Sequence, residues 1–184
     1  VVHYTLCDYL LDLFQNSLEA GSQHTSVRWE EGEGSLHLVV QDTGRGMTER
    51  DLRRARDPFY SEPGKHPERR VGLGLPFLLQ TVDATGGDIG ITSRPGDGTT
   101  IDCTMPLDHV DLPPIGDLPG TFLQMCIYEG TYEVEIFRRR GDASYTLSRA
   151  ELTDALGELD SAASVSLLRQ YLREQEHELE MMEV

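Results

Sequence analysis

The sequence predicts an α/β fold: a two-layer sandwich in which a mixed sheet carries helices on one face, followed by a smaller C-terminal α+β unit. Two observations predict it. Over the first 107 residues the helical and strand-like patterns follow the order helix, hairpin, loop, helix, hairpin. The composition is that of a folded globular chain, with 38% hydrophobic and 26% charged residues among 184.

Charge and composition exclude several classes of function. The formal net charge of -16 repels a nucleic-acid backbone, so we expect no nucleic-acid partner. No apolar run approaches the roughly 18 residues of a membrane span, and the first residues lack the layout of a signal peptide. We therefore expect no membrane association and a cytoplasmic location. Cys7, Cys103 and Cys126 are predicted to be buried small hydrophobic residues, since they form no CxxC pair.

The first elements follow from local patterns. Residues 5–20 place leucines at helical spacing, and Gly21 ends the helix. Residues 26–29 and 35–42 are predicted to form a hairpin separated by the segment 30–34. A short polar helix over 48–56 follows, with Thr48 as its cap.

Residues 57–70, DPFYSEPGKHPERR, contain three prolines and one glycine without an apolar period. This pattern is typical of a mobile loop, which we call the lid. From Gly72 a second helix is predicted, which ends at Gly86 and Gly87. Two further strands, DIGITS and TTIDCTMP, flank the turn RPGDG.

After Met105 the composition shifts to HVDLPPIGDLPG, which predicts a domain boundary between residues 1–107 and an acidic extension over 108–184. In the extension, residues 121–128 fit a helix or a strand equally well. A hairpin is predicted around Gly141, followed by a helix starting at Ser148 and a final amphipathic helix from about residue 164. The arginine run 138–140 fits an exposed strand edge protected from pairing, or a contact for an acidic partner.

Four short motifs carry the candidate chemistry, and their order and spacing are more specific than any one of them: Asp12-x-x-x-Asn16, Asp42-x-Gly44-x-Gly46, Gly72-x-Gly74 and Gly98-Thr99-Thr100. Asp42, at a strand end, can accept a hydrogen bond from the exocyclic amine of adenine, whereas guanine presents a carbonyl there. Gly44 and Gly46 allow the backbone to approach the ring. Either Thr99 or Thr100 can donate to the same carboxylate or to a bridging water.

The other motifs suit phosphate and metal binding. Gly72 and Gly74 precede a helix whose free N-terminal amides can bind phosphate oxygens. Asn16 offers a side-chain oxygen to Mg2+, which takes few protein ligands beside phosphates. Asp12 lies one turn earlier on the same helix face, where it can orient a water. Lys65, Arg69 and Arg70 of the lid can neutralise phosphates on closure, or are simply solvated loop charges.

At NSLEAG, DTGRGM, DPFY, GLGL and GTT, residues 5–106 resemble the GHKL superfamily of gyrase, heat-shock chaperone, histidine kinase and MutL ATPases. The resemblance implies a histidine kinase ATPase-like sandwich that binds ATP with Mg2+. In gyrase-like and MutL-like members a glutamate matching Asp12 activates the attacking water, and the shorter aspartate favours slow hydrolysis. With Asp12 as the catalytic residue and Asn16 as the metal ligand, the residues predicted to bind nucleotide are Asn16, Asp42, Gly44, Gly46, Met47, Phe59, Lys65, Arg70, Gly72, Leu73, Gly74, Leu75, Thr99 and Thr100.

The whole chain resembles a family of small stand-alone histidine-kinase-like ATP-binding proteins, often encoded beside iron-only hydrogenase and complex-I-like flavoprotein subunits. That resemblance implies a regulatory or assembly partner. Histidine kinases carry an upstream dimerising hairpin with a phosphoacceptor histidine, whereas this sequence begins at the first motif helix. His177-Glu178-Leu179 matches only the start of the kinase signature and lacks the Arg-Thr-Pro that follows. We therefore expect no self-phosphorylating sensor kinase.

Three functions from different classes fit the sequence. The first is a slow ATPase or ATP-gated regulatory switch that contacts a protein partner through the lid or the acidic extension, with a homodimer also compatible. The second is a protein kinase that phosphorylates a histidine or serine of a partner in trans. The third is a structural adaptor with a vestigial site, against which the intact Asn16, Asp42 and paired glycines argue.

Overall fold

The computed structural model describes residues 4–56 and 74–182 of the chain. The elements are α1 (Leu6–Glu19), β1 (His24–Gly32), β2 (Ser35–Asp42), α2 (Glu49–Ala55), α3 (Gly74–Ala84), β3 (Asp88–Arg94), β4 (Gly98–Pro106), α4 (Leu118–Ile127), β5 (Glu133–Arg140), β6 (Ala143–Ser148), α5 (Arg149–Leu156) and α6 (Ala162–Met181). The predicted order of helices and hairpins is confirmed. None of these helices combines the length and apolar character that a bilayer crossing requires.

The described strands form one mixed sheet in the order β3-β4-β2-β1-β5-β6. The β1–β5 pair is parallel, and the other neighbouring pairs are antiparallel. The predicted mixed sheet is therefore confirmed. Strands from both sides of residue 107 share this sheet, because β5 of the extension pairs with β1. The division into 1–107 and 108–184 as separate folding units stays a prediction.

One face of the sheet carries the core. The register aligns Val27 with Val40 on one side and with Ile136 on the other, and Val40 with Ile101. These side chains are buried in a single cluster with apolar residues of α1, α3, α4 and α6. Residues that alternate with them, such as Arg28, point to the opposite face, as the two-residue period of a strand requires. The predicted two-layer arrangement is confirmed.

The hairpin β1–β2 is tighter than the sequence suggests. Residues 30–34 were predicted to separate the strands, but β1 continues to Gly32, and only Glu33 and Gly34 form the turn. Both turn residues have a positive φ, 51° and 75°, as a two-residue hairpin turn requires. Glu30 and Glu31 are buried strand residues, because their carboxylates pair with arginines.

In the extension, the ambiguous segment around residues 121–128 is helical. Asp117 caps α4 by accepting from the Gly120 amide, and most of the helix is buried. The segment before α4 packs on the start of α1, where the amides of Leu6 and Cys7 donate to the carbonyls of Pro114 and Ile115. All three cysteines are buried, as predicted.

The predicted strand edge at the arginine run 138–140 is wrong, because β5 lies between β1 and β6. A contact of Arg139 or Arg140 with an acidic partner stays a prediction. Arg138 is 1% exposed and lies on a strand flanked on both sides, so it is neither an exposed edge nor a surface contact. Its guanidinium pairs with Glu31 at 2.9 Å and with Glu176 of α6 at 3.0 Å. Arg139 pairs with Glu30 on the other face at 2.7 Å. These ion pairs therefore connect β5 to both α6 and β1.

Candidate functional site

Asp42 ends β2 in a half-buried position. Its Oδ1 accepts from the Gly44 amide at 2.7 Å. Burial raises the pKa of the Asp42 carboxyl, and hydrogen bonds from the backbone N–H groups of Gly44 and Thr99 offset part of that rise. A carboxylate has about four acceptor positions, so these bonds leave capacity for a ligand donor.

The glycines after Asp42 are required by space and by backbone conformation. A Cβ added to Gly44 would lie 2.7 Å from Cβ of Ala20, at the end of α1. Gly46 has a φ of 63°, and a Cβ there would overlap the carbonyl of Arg94. The loop 43–47 is therefore packed closely between α1 and the β3–β4 turn, as only glycine permits.

The loop 43–47 is also held by hydrogen bonds on both sides. Arg45 N–H donates to the Ala20 carbonyl at 2.9 Å, and Gly96 N–H donates to the Arg45 carbonyl at 2.8 Å. Met47 N–H donates to Oγ of Ser93 at 2.8 Å. Sequence reasoning selected Met47 but missed Ser93, because a single serine near a strand end carries no motif signal.

A second group of small polar residues that the sequence did not reveal supports the base of this loop. Oγ of Ser22 accepts from the Thr43 amide at 3.1 Å and donates to the His24 carbonyl at 2.7 Å. Oγ of Ser17 lies 2.9 Å from Oγ1 of Thr25. Ser17, Ser22 and Thr25 are buried, so the network connects the end of α1 to the start of β1 beneath Asp42.

The strand register distinguishes the two candidate threonines. Thr99 lies directly opposite Asp42, on the same face of the sheet, whereas Thr100 lies opposite Gln41 and points to the other face. Gly98 has a φ of 79°, and a Cβ there would overlap the Asp42 carbonyl. The geometry therefore favours Thr99 over Thr100 as the residue beside the carboxylate.

Asp12 marks the other end of the candidate site. It lies against Gly74 of α3, where an added Cβ would come within 3.0 Å of Asp12 Oδ2. Gly74 and Leu75 are buried, whereas Asn16, one turn further along α1, is exposed. From Asp12 to Ala20, α1 spans about 12 Å. One helix thus connects the start of α3 to the loop beside Asp42, a separation that a nucleoside triphosphate can bridge.

Five predicted site residues lie outside the described part of the chain: Phe59, Lys65, Arg70, Gly72 and Leu73. The lid and its third cation, Arg69, lie there too. Their assignment to the nucleotide stays a prediction.

The half-buried carboxylate of Asp42, the glycine loop 43–47 and the helices α1 and α3 thus lie together beside the mixed sheet. The family model described as "Histidine kinase-, DNA gyrase B-, and HSP90-like ATPase" matches residues 4–109. The chain belongs to this family, and it is an ATP-binding protein of the histidine-kinase-like type.

Individual relatives each match about half of the chain. The sensor histidine kinase WalK of Bacillus subtilis is 38% identical over 93 residues, which are 49% of this chain and 15% of WalK. The histidine protein kinase DivJ of Caulobacter vibrioides is 35% identical over 102 residues, which are 53% of this chain and 17% of DivJ. The catalytic domain of the histidine kinase ThkA superposes with a TM-score of 0.41 at 20% identity, covering 53% of this chain and 63% of that one. The chain thus spans less than a fifth of WalK and of DivJ. Its relation to stand-alone proteins encoded near iron-only hydrogenases stays a prediction.

Proposed function

We propose that the chain binds ATP with Mg2+ between α1, the loop 43–47 and the start of α3, and works as a slow ATPase or ATP-gated switch for a protein partner. The contact between Asp12 and Gly74 carries this proposal. It brings a carboxylate of α1 to the start of α3, where free helix amides suit phosphate oxygens. Asp12 there orients a water for attack on the terminal phosphate.

Adenine selectivity follows from Asp42. The carboxylate is acceptor-only when ionised, so it pairs with the exocyclic amine of adenine and repels the carbonyl of guanine. Thr99 beside it is placed to hold a bridging water. A Cβ at Gly44 would lie 2.9 Å from Oδ1 of Asp42, so glycine there keeps side-chain atoms away from the carboxylate.

Asn16 is proposed as the protein ligand of Mg2+. We expect Asn16→Ala to remove the Mg2+ dependence of ATP affinity, because the ion would lose the oxygen that links it to α1. Calorimetric titration of ATP with and without Mg2+ measures this, and Gln15→Ala on the same helix serves as the matched control. An Asn16→Ala protein whose ATP affinity still increases with Mg2+ rules out the role.

The fate of the γ-phosphate separates the two enzymatic functions. With γ-labelled ATP we expect slow release of free phosphate, and Asp12→Asn should reduce that release by about 100-fold or more, since it removes the base but keeps the shape. Label on a partner protein would instead support the kinase alternative, which the names of WalK and DivJ favour. Release that is unchanged in Asp12→Asn would contradict the role given to Asp12.

The packing of the extension against α1 supports a partner-facing switch. Phe14, two residues before Asn16, makes edge contacts with the rings of Tyr132 at 5.5 Å and Tyr128 at 6.4 Å. Tyr132 donates to the Met125 carbonyl at 2.7 Å, so the ring is anchored to α4. A partner that shifts α4 would move α1, and with it the residues proposed to bind Mg2+ and water.

A further inference from the structure

We infer that Ser93 is a positioning residue of the nucleotide site, which holds the loop 43–47 in the conformation that accepts adenine. The inference rests on the proposed function, because it concerns the base end of the same cleft. Ser93 lies one residue before the end of β3 and is half-buried. None of the four motifs contains it.

Three groups from different parts of the site meet at the Ser93 hydroxyl. Met47 N–H donates to it at 2.8 Å, the Gly98 carbonyl lies 3.1 Å away as an acceptor, and Oγ1 of Thr99 lies at 2.9 Å. A serine hydroxyl has one proton and two acceptor lone pairs. The Met47 amide occupies one lone pair, and the proton goes to Gly98 or to Thr99. In either arrangement the hydroxyl links the glycine loop to the strand beside Asp42.

Among the described side chains, the Asp42 carboxylate also joins these two segments, because it accepts from the amides of Gly44 and Thr99. The other hydrogen bonds of the loop lead to the end of α1, to the start of β1 and to the β3–β4 turn, so none of those described replaces the bond of the Met47 amide. Without the hydroxyl, the half-buried Met47 amide has no partner, and an unsatisfied donor of this kind is costly. The loop would then relax away from Thr99, and its backbone would no longer be held in place beside Asp42. Ser93 therefore acts on the base through Met47 and Thr99 rather than by touching it.

Three variants test this positioning role. Ser93→Ala removes the hydroxyl, Ser93→Thr keeps it, and Thr92→Ala alters the adjacent exposed residue on the opposite face of β3. We expect Ser93→Ala to weaken ATP binding by about 10-fold in calorimetry, the scale of one lost hydrogen bond. Ser93→Thr and Thr92→Ala should stay within about 3-fold of the unaltered protein. Hydrogen exchange should accelerate in the peptide covering residues 43–47, but not in β6.

Three results would contradict the positioning role of Ser93. Unchanged ATP affinity in Ser93→Ala overturns the inference, as does equal weakening in Ser93→Thr, since the hydroxyl would then be irrelevant. Faster exchange throughout the chain assigns Ser93 a general structural role and also overturns it. If the unaltered protein and Asp42→Asn bind ATP equally, the proposed adenine site fails instead, and the exchange of the loop still reports separately on Ser93.

Discussion

Replacing Asp42 with asparagine should abolish measurable ATP binding while the fold stays intact. Asparagine has the same shape, so the β2 end and the loop 43–47 keep their packing. Its amide lacks the negative charge, and a hydrogen bond to a charged acceptor contributes about 1.5 to 3 kcal/mol, which corresponds to about 10- to 150-fold in affinity. The half-buried position of Asp42 places the effect towards the upper end of that range.

Calorimetry measures the loss, and thermal unfolding by circular dichroism checks the fold. Asp102→Asn is the matched control: it removes the same charge from an exposed residue of β4 on the opposite face, where Asp102 pairs with His37 at 2.8 Å. We expect this control to bind ATP normally. An Asp42→Asn protein with normal affinity removes the adenine assignment.

Because the pKa of Asp42 is raised, the proposed role of this carboxylate also predicts how ATP affinity depends on pH. Burial raises the pKa of this carboxyl in the folded protein, so protonation there favours the folded state as pH falls. ATP binding requires the carboxylate and therefore has the opposite sign: affinity should fall on acidification, starting at a higher pH than for an ordinary aspartate. Calorimetric titrations with ATP at successively lower pH should show this fall in ATP affinity in the unaltered protein.

Replacing Arg138 with alanine should lower the free energy of unfolding by about 3 to 5 kcal/mol, because it leaves buried charges without their partner. Arg138 is 1% exposed, and Glu31 and Glu176 both pair with it. Tyr145 O–H also donates to Glu176 at 2.6 Å, so the arginine lies in a connected network between β1, β5, β6 and α6.

Urea denaturation measures the cost, with Arg140→Ala as the matched control. Arg140 is on the same strand and lies 3.8 Å from Glu180, with a side chain that is 30% exposed. Its replacement should cost about 1 kcal/mol or less, as for surface pairs. Equal losses for the two variants would contradict the buried network.

Local signals predicted the helices and hairpins, whereas the pairing between distant elements was not predicted. Thr5 caps α1 and Thr48 caps α2, which are interactions within one turn of helix. The pairing of β1 with β5 joins His24 to Glu133, and a parallel contact across such a separation leaves no local pattern. Arg138 was predicted to be exposed for the same reason: its carboxylate partners, Glu31 and Glu176, come from distant elements.

The residues of the candidate site also fall into two groups, those that a local motif predicts and those that only the structure reveals. Asp42, Gly44 and Gly46 belong to a motif because carboxylate chemistry and backbone approach demand those residue types. Ser93 contributes one common hydroxyl, and Ala20 contributes its backbone carbonyl, a group that every residue has. Such contributions leave no trace in a single sequence. The choice between Thr99 and Thr100 needed the register of β2 and β4.

A crystal structure with a non-hydrolysable ATP analogue and Mg2+ tests the central claim most directly. We predict the adenine amine on the carboxylate of Asp42, the ion on the amide oxygen of Asn16, and the phosphates at the start of α3 beside Asp12. A cleft that stays empty, or that holds the nucleotide away from Asp42, would contradict the account.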